Sequence, residues 1–352
     1  MRRSSAERYL AALERQVEAA PTFAATTLFL GGGTPNAYAP ETVAALVRRL
    51  RDRFGLPAGA EATIELNPDA GMWSPDGFAT YAAAGITRVS FGVQSFVPEE
   101  IATLGRRHVP EDVTGAVAAA RAAGIADVSL DLIFGTPGQT KASLRRSLDA
   151  ALALRPDHVS TYGLTIEDGT PYADWYARRP QDFASNDLEA DLFALAIEVL
   201  EAAGFEQYEI SNFARPGRRS RHNANYWANG DYLGLGVGAA SYRDGERRTA
   251  TRSLDAYCAA LEAGAAVPGE AEWLAGDAAL GEATMLALRT AEGVDVAVFA
   301  ERYGVDFHAH YATVLAELRA TETLEVTAGR VALTRRGRFL ANDVCAAFII
   351  TG

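Results

Sequence analysis

The sequence predicts an α/β protein whose main body is a parallel sheet wrapped by helices, either closed into a barrel or left open. A smaller helical, winged-helix-like domain follows it. Three observations lead there. Strand and helix signals alternate through the first half, as they do when helices cover a parallel sheet. A polar residue stands at or near the C-terminal end of almost every strand, the end where parallel barrels build sites. After about residue 250 the alternation stops and helices predominate.

The elements follow in order. Residues 4–19 read as a helix, 26–30 as a strand, and 40–54 as a helix with proline near its start. A strand is expected over 62–66, a helix over 74–84 closed by Gly85, and a strand over 87–93. Residues 110–123 form a helix stopped by Gly124. Then come strand 128–134, helix 141–154, strand 158–164, helix 187–203 ended by Gly204, and a further strand over 207–210. The second half offers helices over 254–263 and 281–290, a helix-turn segment in EGVDVAVFAERYGV, a helix over 307–320, a hairpin over 323–333 and a final helix over 336–348. These place the domains at 1–245 and 246–352. The chain opens on a helix with no strand before it, so the strand at 26–30 is expected to be an unpaired edge.

At 352 residues, 49% hydrophobic and 22% charged, the chain has an ordinary globular composition with room for a large core and a satellite domain. A net charge of −12 argues against a nucleic-acid partner, which calls for a basic face. No apolar run of about 18 residues is present, so a transmembrane helix is not expected, and peripheral membrane contact stays open. The opening MRRSSAERYL lacks the apolar stretch of a secretory signal, and the expected location is cytoplasmic. Cys258 and Cys345 stand far apart in helical patterns and read as small buried hydrophobes.

Two segments carry chemistry. LFLGGGTP at 28–35 is an apolar strand running into three glycines, which lets backbone amides approach a ligand closely. It is neither a Walker loop nor a dinucleotide fingerprint, and alone it reads as a tight βα turn. Thr34, Glu65, Gln94, Asp131 and Thr165 stand at or near the C-terminal ends of successive strands, and Arg106 adds a guanidinium. That set suits a zwitterionic methionine group joined to a ribose: carboxylates for ammonium and hydroxyls, an amide, and a guanidinium for a carboxylate. The second segment is RHNANYW at 221–227, preceded by Arg215, Arg218 and Arg219. Alone it reads as a solvated basic turn before a core Tyr-Trp pair, with His222 bonding a backbone carbonyl. Its imidazole, aromatics and nearby arginines would equally suit an iron ligand, a porphyrin cover and propionate partners. His308 and His310, two apart, would not share a helix face and are assigned no metal.

LFLGGGTP, IELNP, FGVQS, LGRRH and DLIFGTPGQT, in that order, resemble the oxygen-independent coproporphyrinogen oxidase family of radical S-adenosylmethionine (SAM) proteins. RHNANYW resembles the HNxxYW signature of the family's HemW-type haem chaperone branch. The resemblance implies a partial parallel (β/α) barrel of radical SAM type, here missing its first strand. It implies SAM binding by Gly32, Gly33, Thr34, Glu65, Gln94, Arg106, Asp131 and Thr165, and haem binding by His222, Asn223, Tyr226 and Trp227, with His222 the candidate iron ligand. It also implies protein partners that accept haem. Members hold a 4Fe–4S cluster on a CxxxCxxC loop after the first barrel strand, and this sequence has neither. A single cut explains both absences, and a misplaced start is expected over a natural loss. Where members commonly read GAHS this chain reads GAAS, so Ala240 takes no histidine role. A haem chaperone is the expected function. The alternatives are a radical SAM coproporphyrinogen III oxidase and a cluster-less inactive homologue, and without thiolates no radical chemistry is expected of the chain as written.

Overall fold

The computed structural model describes residues 3–349; Arg2 of the opening arginine pair lies outside them. The chain divides into two compact units, one of residues Thr26–Arg49 and Leu56–Ser220, the other of Met1–Ala25, Leu50–Gly55 and Arg221–Gly352. The expected boundary at residue 245 falls inside the second of these.

The first unit is built on a curled, open sheet. Strands β1 (Thr27–Leu30), β2 (Glu61–Leu66), β3 (Arg88–Gln94), β4 (Asp127–Phe134) and β5 (His158–Gly163) run parallel, each beside the next. They alternate with helices Pro40–Arg53, Pro75–Ala83, Pro110–Ala122 and Lys141–Ala153. Local chemistry sets these helices: Ser74 and Thr140 cap theirs by accepting from the Gly77 and Ser143 amides, and proline opens the first three. One expectation is corrected at the far edge. The strand expected at 207–210 is β6 (Glu206–Glu209), and it turns back into β7 (Asn212–Ala214), which inserts antiparallel between β5 and β6. The sheet is mixed because the Ile210–Ser211 turn is too short for a parallel crossover, which needs a dozen or more residues. Glu209, buried, fastens the turn by accepting from the Ser211 amide and from Asn212 Nδ2 at 2.7 Å.

The period of two decides what the sheet presents. One face is Ala62, Ile64, Leu66, Val89, Phe91, Val93, Val128, Leu130, Leu132 and Val159, all buried, with Phe91 edge-on to Phe78 of a covering helix. The other face, inside the curl, carries Thr63, Glu65, Arg88, Ser90, Ser129, Asp131, His158 and Ser160 in lateral register. A polar concave face is what an α/β half-barrel keeps for a ligand.

In the second unit, helix Arg3–Ala19 packs on helix Leu254–Glu262, with Ala12 beside Tyr257, Cys258 and Leu261. Gln16 Oε1 accepts from the Gly236 amide and the Tyr257 hydroxyl, at 2.8 and 2.6 Å. β8 (Ala240–Arg243), β9 (Glu246–Ala250) and β10 (Gly269–Trp273) form an antiparallel sheet that periodicity did not reveal. A second small sheet has β13 (Arg330–Leu333) between β11 (Val294–Asp295) and β12 (Leu324–Val326). The helix expected over 307–320 breaks into Phe307–His310 and Ala312–Ala320 at Tyr311, whose ring is buried against Phe307 and Phe348. The helix expected over 336–348 likewise breaks at Leu340 into Arg335–Phe339 and Ala341–Ala346. Among the described residues no helix is long and apolar enough to cross a membrane.

Candidate cofactor-binding site

The mouth of the half-barrel is assembled from the ends of β1 to β4. Past β1, Gly31 lies so close to β2 that a Cβ there would fall 2.5 Å from Glu65 Oε2 and 2.6 Å from the Phe29 ring. A side chain there would have to displace the Glu65 carboxylate and the Phe29 ring, so the first glycine of the run, which the sequence reading passed over, leaves both in place. Gly32, with φ of 78°, gives its amide to Glu65 Oε2 at 3.2 Å. Gly33 has open space around its Cα. Burial pushes the Glu65 carboxyl up, with the Gly32 amide opposing it and the nearby Asp131 adding to it.

Thr34, Asn67 and Arg106 form a chain. Asn67 Nδ2 donates to Thr34 Oγ1 at 3.4 Å, and Arg106 Nη1 donates to Asn67 Oδ1 at 3.1 Å. Gln94 ends β3 after a register shift and adopts φ of 66°, a left-handed conformation uncommon for a side chain of its size. Such bulges re-aim a side chain at a sheet rim, and such strain concentrates at sites of function. Asp131 on β4 receives the Ser90 hydroxyl at 3.1 and 3.0 Å from its two oxygens and is also bonded by Ser160 and Ser129. Burial still raises its pKa above the usual 3.8. Thr165 lies exposed beyond β5.

The lumen continues below in groups that the sequence reading missed. His158 Nδ1 meets Ser129 Oγ at 2.9 Å and Nε2 meets the Tyr208 hydroxyl at 2.8 Å, and burial, with the Arg88 charge, drives its pKa well below 6.5. The signal for them was the polar alternation in RVSFGVQ, DVSLDLIF and HVSTYG.

RHNANYW is helix Arg221–Trp227, not a turn. His222 and Tyr226, four apart, share a face, and Nε2 meets the phenol oxygen at 2.8 Å, where a backbone carbonyl had been the plainer expectation. Asn223, Tyr226 and Trp227 are all half-buried, and the Arg289 guanidinium lies 5.0 Å over the Trp227 ring. Asn225 Nδ2 holds the Asp231 carbonyl and shapes the turn after the helix. The arginines just before it have partners within the first unit. Arg215 donates to the Pro156 carbonyl and stacks on Phe205, Arg218 pairs with Asp127, and Arg219 approaches Glu206. A cavity of about 320 Å³ lies beside Tyr226, walled also by Tyr232, Tyr242, Ala240 and an Arg247–Glu282 ion pair.

The mouth thus offers two carboxylates, an amide, a hydroxyl, a guanidinium and open backbone, a donor set that fits an amino acid joined to a ribose. It does not fit an iron–sulfur cluster. Cys258 and Cys345 are the only cysteines of the sequence, both are buried, and burial pushes the Cys345 thiol up to about 11. Among the described residues no group of His, Cys, Asp or Glu is arranged to hold a metal ion.

Comparison with known proteins agrees with this layout. The Radical SAM superfamily matches residues 1–151 and the HemN C-terminal domain matches residues 274–340. Heme chaperone HemW of Mycobacterium tuberculosis is 40% identical over 345 residues, 97% of this chain and 86% of its own length. Heme chaperone HemW of Bacillus subtilis is 33% identical over 351 residues, 97% of this chain and 91% of its own. In fold, the chain matches the coproporphyrinogen III oxidase HemN of Escherichia coli with a TM-score of 0.85 at 24% identity, covering 99% of this chain and 84% of that one. The curled mixed sheet and its polar mouth define a radical SAM-type half-barrel protein. Within that class, the chain belongs to the heme chaperone HemW family.

Proposed function

We propose that this protein binds haem through helix Arg221–Trp227 and hands it to acceptor proteins, with a half-barrel that retains a frame for SAM. What carries the reading is the HNANYW spacing realised on one helix, with His222 and Tyr226 on one face, in a chain of the HemW family. His222 would ligate the iron through a neutral imidazole once Tyr226 releases Nε2. Tyr226 and Trp227 would cover the macrocycle, and Asn223 lies beside the ligand on the same turn. When bound, haem supplies the iron and the chromophore that reports it.

At the mouth, Glu65 and Asp131 would receive the ribose hydroxyls and the ammonium, Gln94 would add its amide, and the backbone of Gly32 and Gly33 would lie against the methionine end. Thr34 and Arg106 would take the carboxylate, and Thr165 would line the rim. The reading as a coproporphyrinogen oxidase has likeness of fold behind it but no thiolates in this sequence to support the chemistry.

Haem titration followed by Soret absorbance tests the haem site. His222→Ala is expected to weaken binding about tenfold and shift the Soret band, since iron loses its ligand while apolar contacts stay; His108→Ala is expected to do neither. Unchanged affinity and spectrum in His222→Ala would remove the proposed ligand.

A further inference from the structure

We propose that Asn67 is a positioning residue for the ligand's carboxylate, which keeps Arg106 in place without neutralising it; this rests on the SAM reading of the mouth. Asn67 stands where β2 ends, and its own backbone is fixed on both sides. Its amide donates to Asn36 Oδ1 at 3.3 Å, and its carbonyl accepts from Asn36 Nδ2 at 2.9 Å. Asn36, buried, donates also to the Met72 carbonyl at 3.0 Å, so the β1 and β2 loops are locked together before any ligand arrives.

The side chain then divides its two ends. A guanidinium only donates, so the oxygen of Asn67 must face Arg106, and the 3.1 Å contact has that sense. The amide nitrogen is thereby turned to Thr34 Oγ1, which accepts from it at 3.4 Å. Thr34 has one lone pair occupied in this way, and a hydroxyl so placed still carries one O–H to donate. The remaining N–H groups of Arg106 and the Thr34 hydroxyl together make a donor set for one carboxylate, spaced by a single amide. Asn67 Oδ1 also lies 3.7 Å from where a Cβ would project at Gly92, and Gln94 Nε2 lies 3.2 Å from it, which places Asn67 among loops from β1, β2 and β3.

The neutral amide is the decisive feature. An aspartate would hold Arg106 as firmly, by a charge-assisted bond, but would cancel the charge that a ligand carboxylate needs and would have no N–H for Thr34. Shape is nearly identical, so the two residues differ in charge and donor alone.

The test compares two ligands on the full chain by calorimetry. S-adenosylhomocysteine carries the carboxylate; 5′-methylthioadenosine keeps the adenosine and thioether and lacks the amino-acid end. Asn67→Ala is expected to weaken S-adenosylhomocysteine about fivefold and Asn67→Asp about thirtyfold, with 5′-methylthioadenosine changed less than twofold by either. Asn67→Asp binding S-adenosylhomocysteine as well as the parent would overturn the proposal. So would equal losses for both ligands, the mark of a merely structural role. A parent chain that binds neither ligand would instead refute the SAM reading underneath.

Discussion

Asp131 shows how one residue can be held against its own preference. Burial raises its pKa above 3.8 although three serines and the Arg88 charge favour the anion. Between 3.8 and that raised value the folded chain holds a proton that the unfolded chain releases. Ionised Asp131 therefore costs stability above its folded pKa, the cost shrinks as pH falls through that value, and it is gone below 3.8. Asp131→Asn keeps the shape without the charge. It is expected to melt about 2–4 °C above the parent near pH 7, corresponding to about 1 kcal/mol, with the gap closing as pH approaches the ordinary carboxylate range. The same variant should bind SAM more weakly, the usual exchange between stability and function at a strained site. Calorimetric melting across pH checks it, and a parent more stable than Asp131→Asn at pH 7 would show that the fold itself uses the charge, against Arg88. Asp131 was legible as a carboxylate in the strand pattern of DVSLDLIF, whereas Asn67 was not: asparagine before proline reads as a loop residue, and only the loops brought together by β1, β2 and β3 give it Thr34 and Arg106 as neighbours.

Among the elements, β5 joins the two halves of the lumen. His158 stands on β5 between Ser129 of β4 and Tyr208 of β6, and burial, with the Arg88 charge, drives its pKa well below 6.5, so the ring stays neutral where an exposed histidine would already be protonated. His158→Ala leaves Ser129 with Asp131 but takes from the buried Tyr208 hydroxyl its ring partner, a loss that costs roughly 1–3 kcal/mol, and empties the volume of the ring. The expected destabilisation is about 3 kcal/mol by urea unfolding, with the Soret spectrum of bound haem unaltered. A loss under about 0.5 kcal/mol would mean that water or a rotated tyrosine replaces the ring at no cost. Helix Arg221–Trp227 teaches the opposite lesson about legibility. Seven residues rich in Asn and aromatics have little intrinsic helicity, so the segment read as a turn. Its helical form depends on contacts around it, such as Asn225 on the following turn and Arg289 over Trp227.

For the whole molecule, cysteine count sets the chemistry that this polypeptide can support. Two buried cysteines, with both thiols' pKa values raised, cannot supply the three convergent thiolates of a cluster site. Anaerobic reconstitution with iron and sulfide is expected to leave well under one iron per chain after desalting. About four irons and four sulfides per chain would contradict this. The repeating strands and helices from β1 to β5 were readable because each is a local pattern: an apolar alternation, a proline at a helix start, a glycine at its end. The same is true of Glu65 and Gln94, at or next to their strand ends, and of Asp131 within β4, whose positions follow from those patterns. The β6–β7 reversal, the β8–β10 sheet and the breaks at Tyr311 and Leu340 were not readable, since short strands and helix breaks are decided by partners distant in sequence. The same holds for the packing of helix Arg3–Ala19 on Leu254–Glu262, whose partners lie far along the chain. By itself the sequence determined the class of fold, the polar rim and the lack of thiolates, all properties of local pattern and composition. Only the tertiary structure decided which side chains meet across the curl, because hydrogen-bond partners such as Asn67 and Arg106 are made neighbours by strand register and not by spacing along the chain.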